Sequence, residues 1–151
     1  PSRTEENMAA NTIILKGPLE FRYEEGKAAA AITPGHFVEQ TTGGLIQKKA
    51  STAGSRKKLA VAIEDALQGK TIDDAYATND VVRYYLPFAG DKLQVIIKAG
   101  TAAIVIGDKL TDNGDGTFRK QSGTEFTFLE ADQALDISGG STDTRINAWV
   151  V

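Results

Sequence analysis

Apolar and polar residues alternate along this chain in short runs separated by glycine-rich turns. Leu19, Phe21 and Tyr23 alternate with charged residues, and residues 93–97 show a similar alternation. A period of two is typical of a β-strand with one buried face. Residues 59–63 are apolar on both faces, which predicts a strand deep in the core. No segment sustains helical spacing, so the pattern predicts an all-β sandwich or barrel with only short helical turns.

The same pattern occurs twice. Each copy has a hairpin, an apolar run that ends in an acid, and a closing strand. These are residues 32–48, 59–64 and 81–86 in the first copy, and 106–120, 126–130 and 145–151 in the second. Self-similarity of this kind indicates a repeated structural unit. Because each copy is too short to bury a core separately, we expect one β domain, residues 12–151, with an internal pseudo-repeat.

Punctuating residues predict the remaining local structure. Residues 1–11 are polar and lack apolar periodicity, so we expect an extended N-terminal arm that is disordered until it docks. Glu25-Gly26 predicts a turn. Thr71, with an acid three residues later, loosely fits a capping box that begins one or two helical turns. Residues 50–58 are small, polar and basic, which predicts an exposed loop.

Charge and composition exclude several classes of protein. The formal net charge of −3 argues against a nucleic-acid partner, which requires a basic face. Five basic residues that cluster without interleaved aromatics are interpreted as a solvated loop: Lys48, Lys49, Arg56, Lys57 and Lys58. The chain has no cysteine, which excludes disulfides and thiolate chemistry. No apolar stretch is long enough to span a membrane and the N-terminus lacks a signal core, so we expect no membrane partner and a cytoplasmic origin.

Candidate reactive residues are few. His36 is the only histidine and follows Pro34-Gly35, so we interpret it as a surface turn residue. The segment 112–116 superficially suggests a calcium loop, but Gly114 and Gly123 stand where ligands are required, and Asn-Gly and Asp-Gly are common hairpin turns. We therefore expect no metal and no cofactor.

Two pairs of adjacent acids, Glu64-Asp65 and Asp73-Asp74, are compatible with a glycosidase, which also needs aromatics that stack on sugars. The sole tryptophan, Trp149, and the phenylalanines Phe126 and Phe128 lie in apolar strands and are interpreted as core. The sequence therefore favours a protein that is not an enzyme.

One part of the chain resembles a known family. The segments are Ala60-Val-Ala-Ile-Glu-Asp65, Leu67-Gln-Gly-Lys-Thr-Ile-Asp-Asp-Ala-Tyr76 and Asn79-Asp80-Val81, with Ile32-Thr-Pro-Gly35 before them and Asn113-Gly-Asp-Gly-Thr-Phe-Arg-Lys120 after them. Together they resemble the capsid decoration, or cement, proteins of tailed bacteriophages, over residues 12–151. The run that begins at Leu67 is the most specific part.

This resemblance implies a small β-barrel or β-tulip protein that assembles as a homotrimer on the outer face of the phage head, after synthesis in the bacterial cytoplasm. It implies binding to the major capsid protein and stabilisation of the shell against the pressure of packaged DNA. An arm that docks as an added strand would give such a trimer three linked contacts. The expected capsid-binding residues come from the arm and the first strand: Arg3, Thr4, Glu5, Glu6, Asn7, Met8, Thr12, Ile13 and Ile14.

Two other functions remain open. The first is a carbohydrate- or receptor-binding β-module displayed on a virion, which an exposed aromatic cluster in a shallow groove would favour. The second is a small hydrolase that uses Glu64 or Asp73, which would require a deep pocket and a carboxylate with a raised pKa.

Overall fold

The computed structural model describes residues 10–18, 22–50, 53–54 and 56–151, and these ranges form an almost entirely β structure. Within them lie eleven strands and one short 3-10 helix, Ala66–Gln68. The strands are β1 Ile14–Lys16, β2 Tyr23–Lys27, β3 Val38–Gln40, β4 Ile46–Lys48, β5 Val61–Ala62, β6 Val81–Tyr85, β7 Lys92–Ile97, β8 Lys109–Asp112, β9 Phe118–Lys120, β10 Leu129–Ala131 and β11 Thr144–Val150. The arm predicted for residues 1–11 falls mostly outside the described residues.

The second half of the chain forms a closed five-stranded barrel. Its strands follow the order β7-β11-β10-β8-β9. A parallel contact between Ile97 of β7 and Phe118 of β9 closes the ring, and every other pairing is antiparallel. Strand β1 adds to β7 outside the ring, with Ile14 opposite Leu93. The predicted all-β barrel is therefore confirmed.

The first half repeats this order of pairings on a smaller scale. Strand β6 pairs with β2 and β5, and β3 pairs with β4. Single bridges complete the ring: Phe37 meets Val61 antiparallel, and Ala28 meets Ile46 parallel. The pseudo-repeat is therefore present, and we call residues 22–86 the first unit and residues 92–150 the second unit. Strand β7 belongs to the repeat as the counterpart of β2, although the sequence pattern places the start of the second copy after it.

Hydrogen bonds outside the strands match between the units. Ile32 and Tyr76 exchange two backbone bonds, as do Ile104 and Leu135. Gly35 N donates to Ala62 O at 2.8 Å, and Gly107 N donates to Ala131 O at 2.9 Å.

These bonds fix the equivalence of the two copies. Ala62 corresponds to Ala131, so Leu59 corresponds to Phe128. The sequence pattern matches the apolar run 59–64 with the run 126–130, but in the structure the residue equivalent to Leu59 is Phe128 and not Phe126.

Each unit has a buried cluster, and the larger one joins both units. The smaller cluster contains only first-unit residues, among them Ile32, Val38, Ile46, Tyr76 and Val82. The larger cluster fills the second barrel and also takes in first-unit side chains, namely Phe37, Val61, Ile63, Ile72 and Tyr85. A small core of its own in the first unit was not expected from its length. The single-domain boundary of 12–151 stays a prediction.

Two local predictions are wrong. Glu25 and Gly26 lie inside β2 instead of forming a turn. Glycine is needed there because a Cβ on Gly26 would lie 2.7 Å from Ile46 Cγ1 in the facing strand. The capping contacts at Thr71 do form, with Asp74 Oδ2 accepting from Thr71 N at 2.7 Å, but they close a turn and begin no helix. In the described part of the chain, no helix has the length and hydropathy needed to cross a membrane.

The basic loop also departs from its prediction. Lys49 is fully buried, and its Nζ lies 2.7 Å from Asp112 Oδ2, which is buried as well. Gly54 N donates to the other Asp112 oxygen at 2.9 Å. Lys49 follows β4 of the first unit and Asp112 ends β8 of the second, so this ion pair connects the units across their interface.

Arg145 makes a second polar contact between the units. Its Nε and Nη2 donate to Pro34 O at 3.2 and 3.0 Å, its Nη2 also donates to Ile72 O, and its Nη1 pairs with Asp73 Oδ1 at 3.0 Å. Arg145 lies on β11, whereas its partners belong to two turns of the first unit. The planar guanidinium therefore fixes both turns against the second barrel.

Candidate interaction surface

A groove with a cavity volume of about 710 Å³ lies where the two units meet. It has an apolar floor and one basic wall, and we call it the basic–aromatic groove. Its lining residues are Arg56, Lys57, Lys58, Leu59, Pro87, Phe88, Ala89, Phe126, Phe128, Val150 and Val151.

The groove is built from equivalent segments of the two units. Leu59 and Phe128 occupy corresponding positions before β5 and β10, so Lys57 and Phe126 correspond as well. Val61 pairs with Tyr85, and its counterpart Glu130 pairs with Trp149. Residues 86–87 after β6 therefore correspond to residues 150–151 at the end of β11. The pseudo-repeat therefore brings two pairs of matching segments to one place.

Phe88 forms an exposed aromatic edge that is held in position by Asp91. Phe88 is 64% exposed. Asp91 Oδ2 accepts from Phe88 N at 3.0 Å, from the Tyr85 hydroxyl at 2.7 Å and from Arg22 Nη1 at 3.1 Å. Burial, together with the bond to Asp91, raises the pKa of Tyr85. The Arg22 guanidinium lies 4.0 Å from the Phe88 ring centroid, so the ring is fixed on one face.

Phe126 forms the second aromatic edge. It is 39% exposed, so its assignment to the core is wrong, whereas Phe128 is buried as predicted. The two rings meet edge to face at 4.8 Å, and Phe128 contacts the core ring of Phe37 in the same way at 5.1 Å. A row of aromatic contacts thus runs from the core to the surface and keeps Phe126 rigid.

The loop that carries Phe126 is fixed by Glu125. Its carboxylate accepts from Ser122 N at 3.1 Å and from Arg119 Nη1 at 3.0 Å. Backbone hydrogen bonding, led by the bond from Ser122, lowers the pKa of Glu125 to about 2. The carboxylate therefore stays ionised, and keeps its full capacity to accept these hydrogen bonds, across the neutral pH range.

The basic wall stands out in an acidic chain. Arg56, Lys57 and Lys58 are exposed, and Lys57 Nζ pairs with Glu39 Oε1 at 3.1 Å. Among the described residues, Arg56 and Lys58 have no ion-pair partner. The Arg56 guanidinium lies 5.6 Å from the Phe126 ring centroid. Cations beside exposed aromatic edges favour a ligand that combines carboxylates with apolar groups.

The sequence-predicted capsid contacts are only partly described. Arg3, Thr4, Glu5, Glu6, Asn7 and Met8 lie outside the described residues. Thr12 is exposed, Ile13 is fully buried and Ile14 is half-buried. Ile13 N donates to Glu64 Oε1 at 3.1 Å, and Gln94 N donates to Ile13 O at 2.8 Å. In this structure Ile13 anchors β1, and the assignment of all nine residues as capsid contacts stays a prediction.

The residues considered for catalysis make separate structural contacts. Glu64 accepts from the backbone N–H of Ile13, directly before β1, and Asp73 pairs with Arg145 at the surface. The carboxylates of described residues whose pKa is displaced all shift downward, mainly because they accept hydrogen bonds. His36 is half-buried and accepts a hydrogen bond from Thr33 N on Nδ1 at 3.0 Å, which places it in the predicted turn.

Sequence reasoning did not find the groove. Its basic residues were visible as a cluster, but its aromatic residues are distant from them in the sequence. Only the register of the two units brings Phe88 and Phe126 beside Arg56, and the short apolar runs do not reveal this register.

The chain matches no known family model, and no curated protein matches its sequence. Its fold is similar to that of a solved structure described as "The crystal structure of head fiber gp8.5 N base in bacteriophage phi29". The TM-score is 0.55 at 15% sequence identity, and the likeness covers 85% of this chain and 92% of that chain. At this identity the likeness shows a shared fold.

Proposed function

We propose that this chain is a structural protein associated with the head of a tailed bacteriophage. The observation that carries the proposal is the shared fold with the base of a phage head fibre, which extends over most of both chains. The resemblance of residues 60–81 to capsid decoration proteins supports the same role independently.

In finer terms, the protein binds the outer surface of the major capsid protein lattice as a homotrimer and stabilises the shell against internal DNA pressure. It acts on the virion, after assembly in the host cytoplasm. This part rests on the resemblance to decoration proteins. The mass of the purified protein in solution, measured by light scattering, tests the trimer directly.

The basic–aromatic groove is the surface best suited to this role. Its occupant is an acidic segment of the major capsid protein that carries an apolar side chain. Phe88 and Phe126 offer rigid apolar edges. Arg56 and Lys58 offer cations beside them that have no ion-pair partner in the described part of the chain. Rigid aromatic anchors next to arginine are typical of residues that dominate interface energetics.

The experiment mixes the purified protein with heads that lack it and measures occupancy by electron cryomicroscopy. Phe88→Ala and Arg56→Glu should each weaken binding by about tenfold or more, corresponding to about 1.4 kcal/mol. Leu67→Ala is the matched control, because Leu67 is an exposed apolar residue outside the groove. Equal occupancy for all three variants would contradict the groove assignment, and absence of binding by the unmodified protein would contradict the function.

A second candidate is a carbohydrate- or receptor-binding module on the virion, favoured by the exposure of Phe88 and Phe126. Arg22 covers one face of Phe88, which leaves less ring surface for a sugar to stack on. Binding of soluble glycans that Phe88→Ala abolishes, with head binding retained, would favour this candidate.

The proposal assigns a binding role without catalysis. A hydrolytic activity of the intact protein that disappears in Glu64→Gln or Asp73→Asn would contradict it.

A further inference from the structure

Arg83 on β6 is buried without a hydrogen-bond partner for part of its charged group. The residue is only 7% exposed, and its Nε has no partner in the described structure. Among the described residues, no carboxylate forms an ion pair with it. Its guanidinium carbon lies 4.9 Å from the centroid of the Tyr23 ring, which stabilises the charge without accepting a conventional hydrogen bond.

Arg83 lines a cavity of about 280 Å³ beside strand β1. The walls are largely apolar or backbone, with one carboxylate. The lining residues are Thr12, Ile14, Gly17, Ile63, Glu64, Ala66 and Arg83. The cavity is thus roomy enough for a small polar group to reach the arginine.

Two nearby carboxylates do not satisfy Arg83. Glu64 lines the same cavity, but its Oε1 accepts from Ile13 N at 3.1 Å and it makes no ion pair with the arginine. Glu25 lies opposite Arg83 across the β2–β6 pair, yet it is exposed and likewise makes no ion pair with it.

The chemistry of this cavity selects its ligand. A guanidinium removed from water is costly unless its N–H groups are matched, and a carboxylate matches its planar fork with two parallel hydrogen bonds. The negative charge of Glu64 in the same cavity disfavours an anion of higher charge, such as phosphate. A singly charged carboxylate is the group that fits.

We propose that this cavity is a receptor for a single carboxylate side chain, bound by Arg83 at the base of the N-terminal segment. Glu5 and Glu6 carry such groups a few residues before Thr12, and a segment of that length spans up to about 20 Å. A carboxylate from another chain is the other source. The proposal does not depend on the function proposed above.

The test follows the Nε–Hε resonance of Arg83 by NMR in the full chain, assigned by its loss in Arg83→Lys. In the double variant Glu5→Gln/Glu6→Gln, sodium acetate should shift this resonance saturably, and sodium chloride at equal ionic strength should not. Coincident acetate and chloride titrations would overturn the proposal.

Two comparisons identify the partner. If the resonance of the unmodified chain responds weakly to acetate and the double variant responds strongly, Glu5 or Glu6 occupies the cavity. Equal responses in both proteins assign the cavity to a carboxylate from another chain.

The variant Glu25→Gln is the control for the carboxylate on the neighbouring strand and should bind acetate unchanged. An altered Arg83 resonance in Glu25→Gln before acetate is added would assign the arginine to Glu25 and overturn the proposal.

Discussion

His36 and Asp108 occupy equivalent turns of the two units and accept equivalent hydrogen bonds. Thr33 N donates to His36 Nδ1 at 3.0 Å, and Val105 N donates to Asp108 Oδ2 at 2.9 Å. The repeat therefore preserves the acceptor and changes its chemistry. One acceptor is a neutral imidazole and the other is a carboxylate, so the two turns respond differently to acid.

Burial lowers the pKa of His36 to about 4, from an ordinary value of 6.5. Lys48 and Arg145 also lower it, while Asp143 and Asp115 act in the opposite direction. Since the unfolded chain takes up the proton first, the folded protein loses stability as the pH falls from 6.5 to 4. Above this window the contribution of neutral His36 is complete.

We predict that His36→Asn flattens the dependence of stability on pH in this window by about 3 kcal/mol, because asparagine keeps an acceptor for Thr33 N and cannot titrate. The measurement is the free energy of unfolding by denaturant at a series of pH values. Asp108→Asn is the matched control. The pKa of Asp108 is lowered from 3.8, so its contribution to stability is lost only as the pH falls below 3.8. The dependence of stability on pH above pH 4.5 should therefore not change in Asp108→Asn. An unchanged slope in His36→Asn would show that other groups carry the acid sensitivity.

At the scale of elements, the two hairpins have turns of the same form in different surroundings. Gly44 and Gly116 hold equivalent positions, with φ of +86° and +88°. A Cβ on Gly44 would come no closer than 3.9 Å to Gln40 Nε2, whereas a Cβ on Gly116 would lie 2.7 Å from Lys48 Cβ. The carbonyl of Gly116 also accepts from Phe37 N at 2.8 Å. The second turn is therefore part of the contact between the units.

We predict that Gly44→Ala costs about 1 kcal/mol of stability, from the left-handed backbone alone. Gly116→Ala should cost about 2 kcal/mol more, because the hairpin must also move away from Lys48. Thermal and denaturant unfolding measure both variants. Equal losses would mean that the hairpin shifts freely and that the contact with Lys48 carries no strain.

The elements also show that local turns can be predicted from the sequence, whereas contacts between distant segments cannot. The hairpins at residues 38–48 and 109–120 were predictable because their turns need glycine for local reasons. Lys49 was misread as solvated because its partner, Asp112, is distant in the sequence and its burial is a tertiary effect. Gly26 was misread as a turn for the same reason, since the close approach of Ile46 that requires it is not local.

At the scale of the whole molecule, Arg145 connects the second barrel to two turns of the first unit. We predict that Arg145→Met lowers stability by about 2–3 kcal/mol, because the carbonyls of Pro34 and Ile72 lose their donors. Asp73→Asn removes only the exposed ion pair and should cost about 0.5 kcal/mol or less. Unfolding free energies and hydrogen exchange at the 33–36 turn measure both. A small effect in Arg145→Met would show that the shared apolar core and the Lys49–Asp112 ion pair hold the units together without Arg145.

We predict that removal of residues 1–9 leaves the melting temperature nearly unchanged and weakens binding to phage heads. Fold retention is expected because the shortened chain keeps Ala10 and Thr12, whose carbonyls accept from Gln94 Nε2 at 2.6 and 2.8 Å and hold the chain that leads into β1. Circular dichroism and head-binding assays measure the two properties. Head binding of unchanged affinity would exclude a role of this segment in attachment.

The groove between the units draws its walls from both copies of the repeat, so neither half of the chain contains it. A protein with a single copy would have a comparable cleft only between two chains, and its walls would be identical. Joining the copies in one polypeptide lets each wall diverge, and Lys57 now stands where Phe126 stands on the opposite wall. A cleft with unlike walls receives a guest in one direction only, so every molecule bound to a shell through it would share the same polarity.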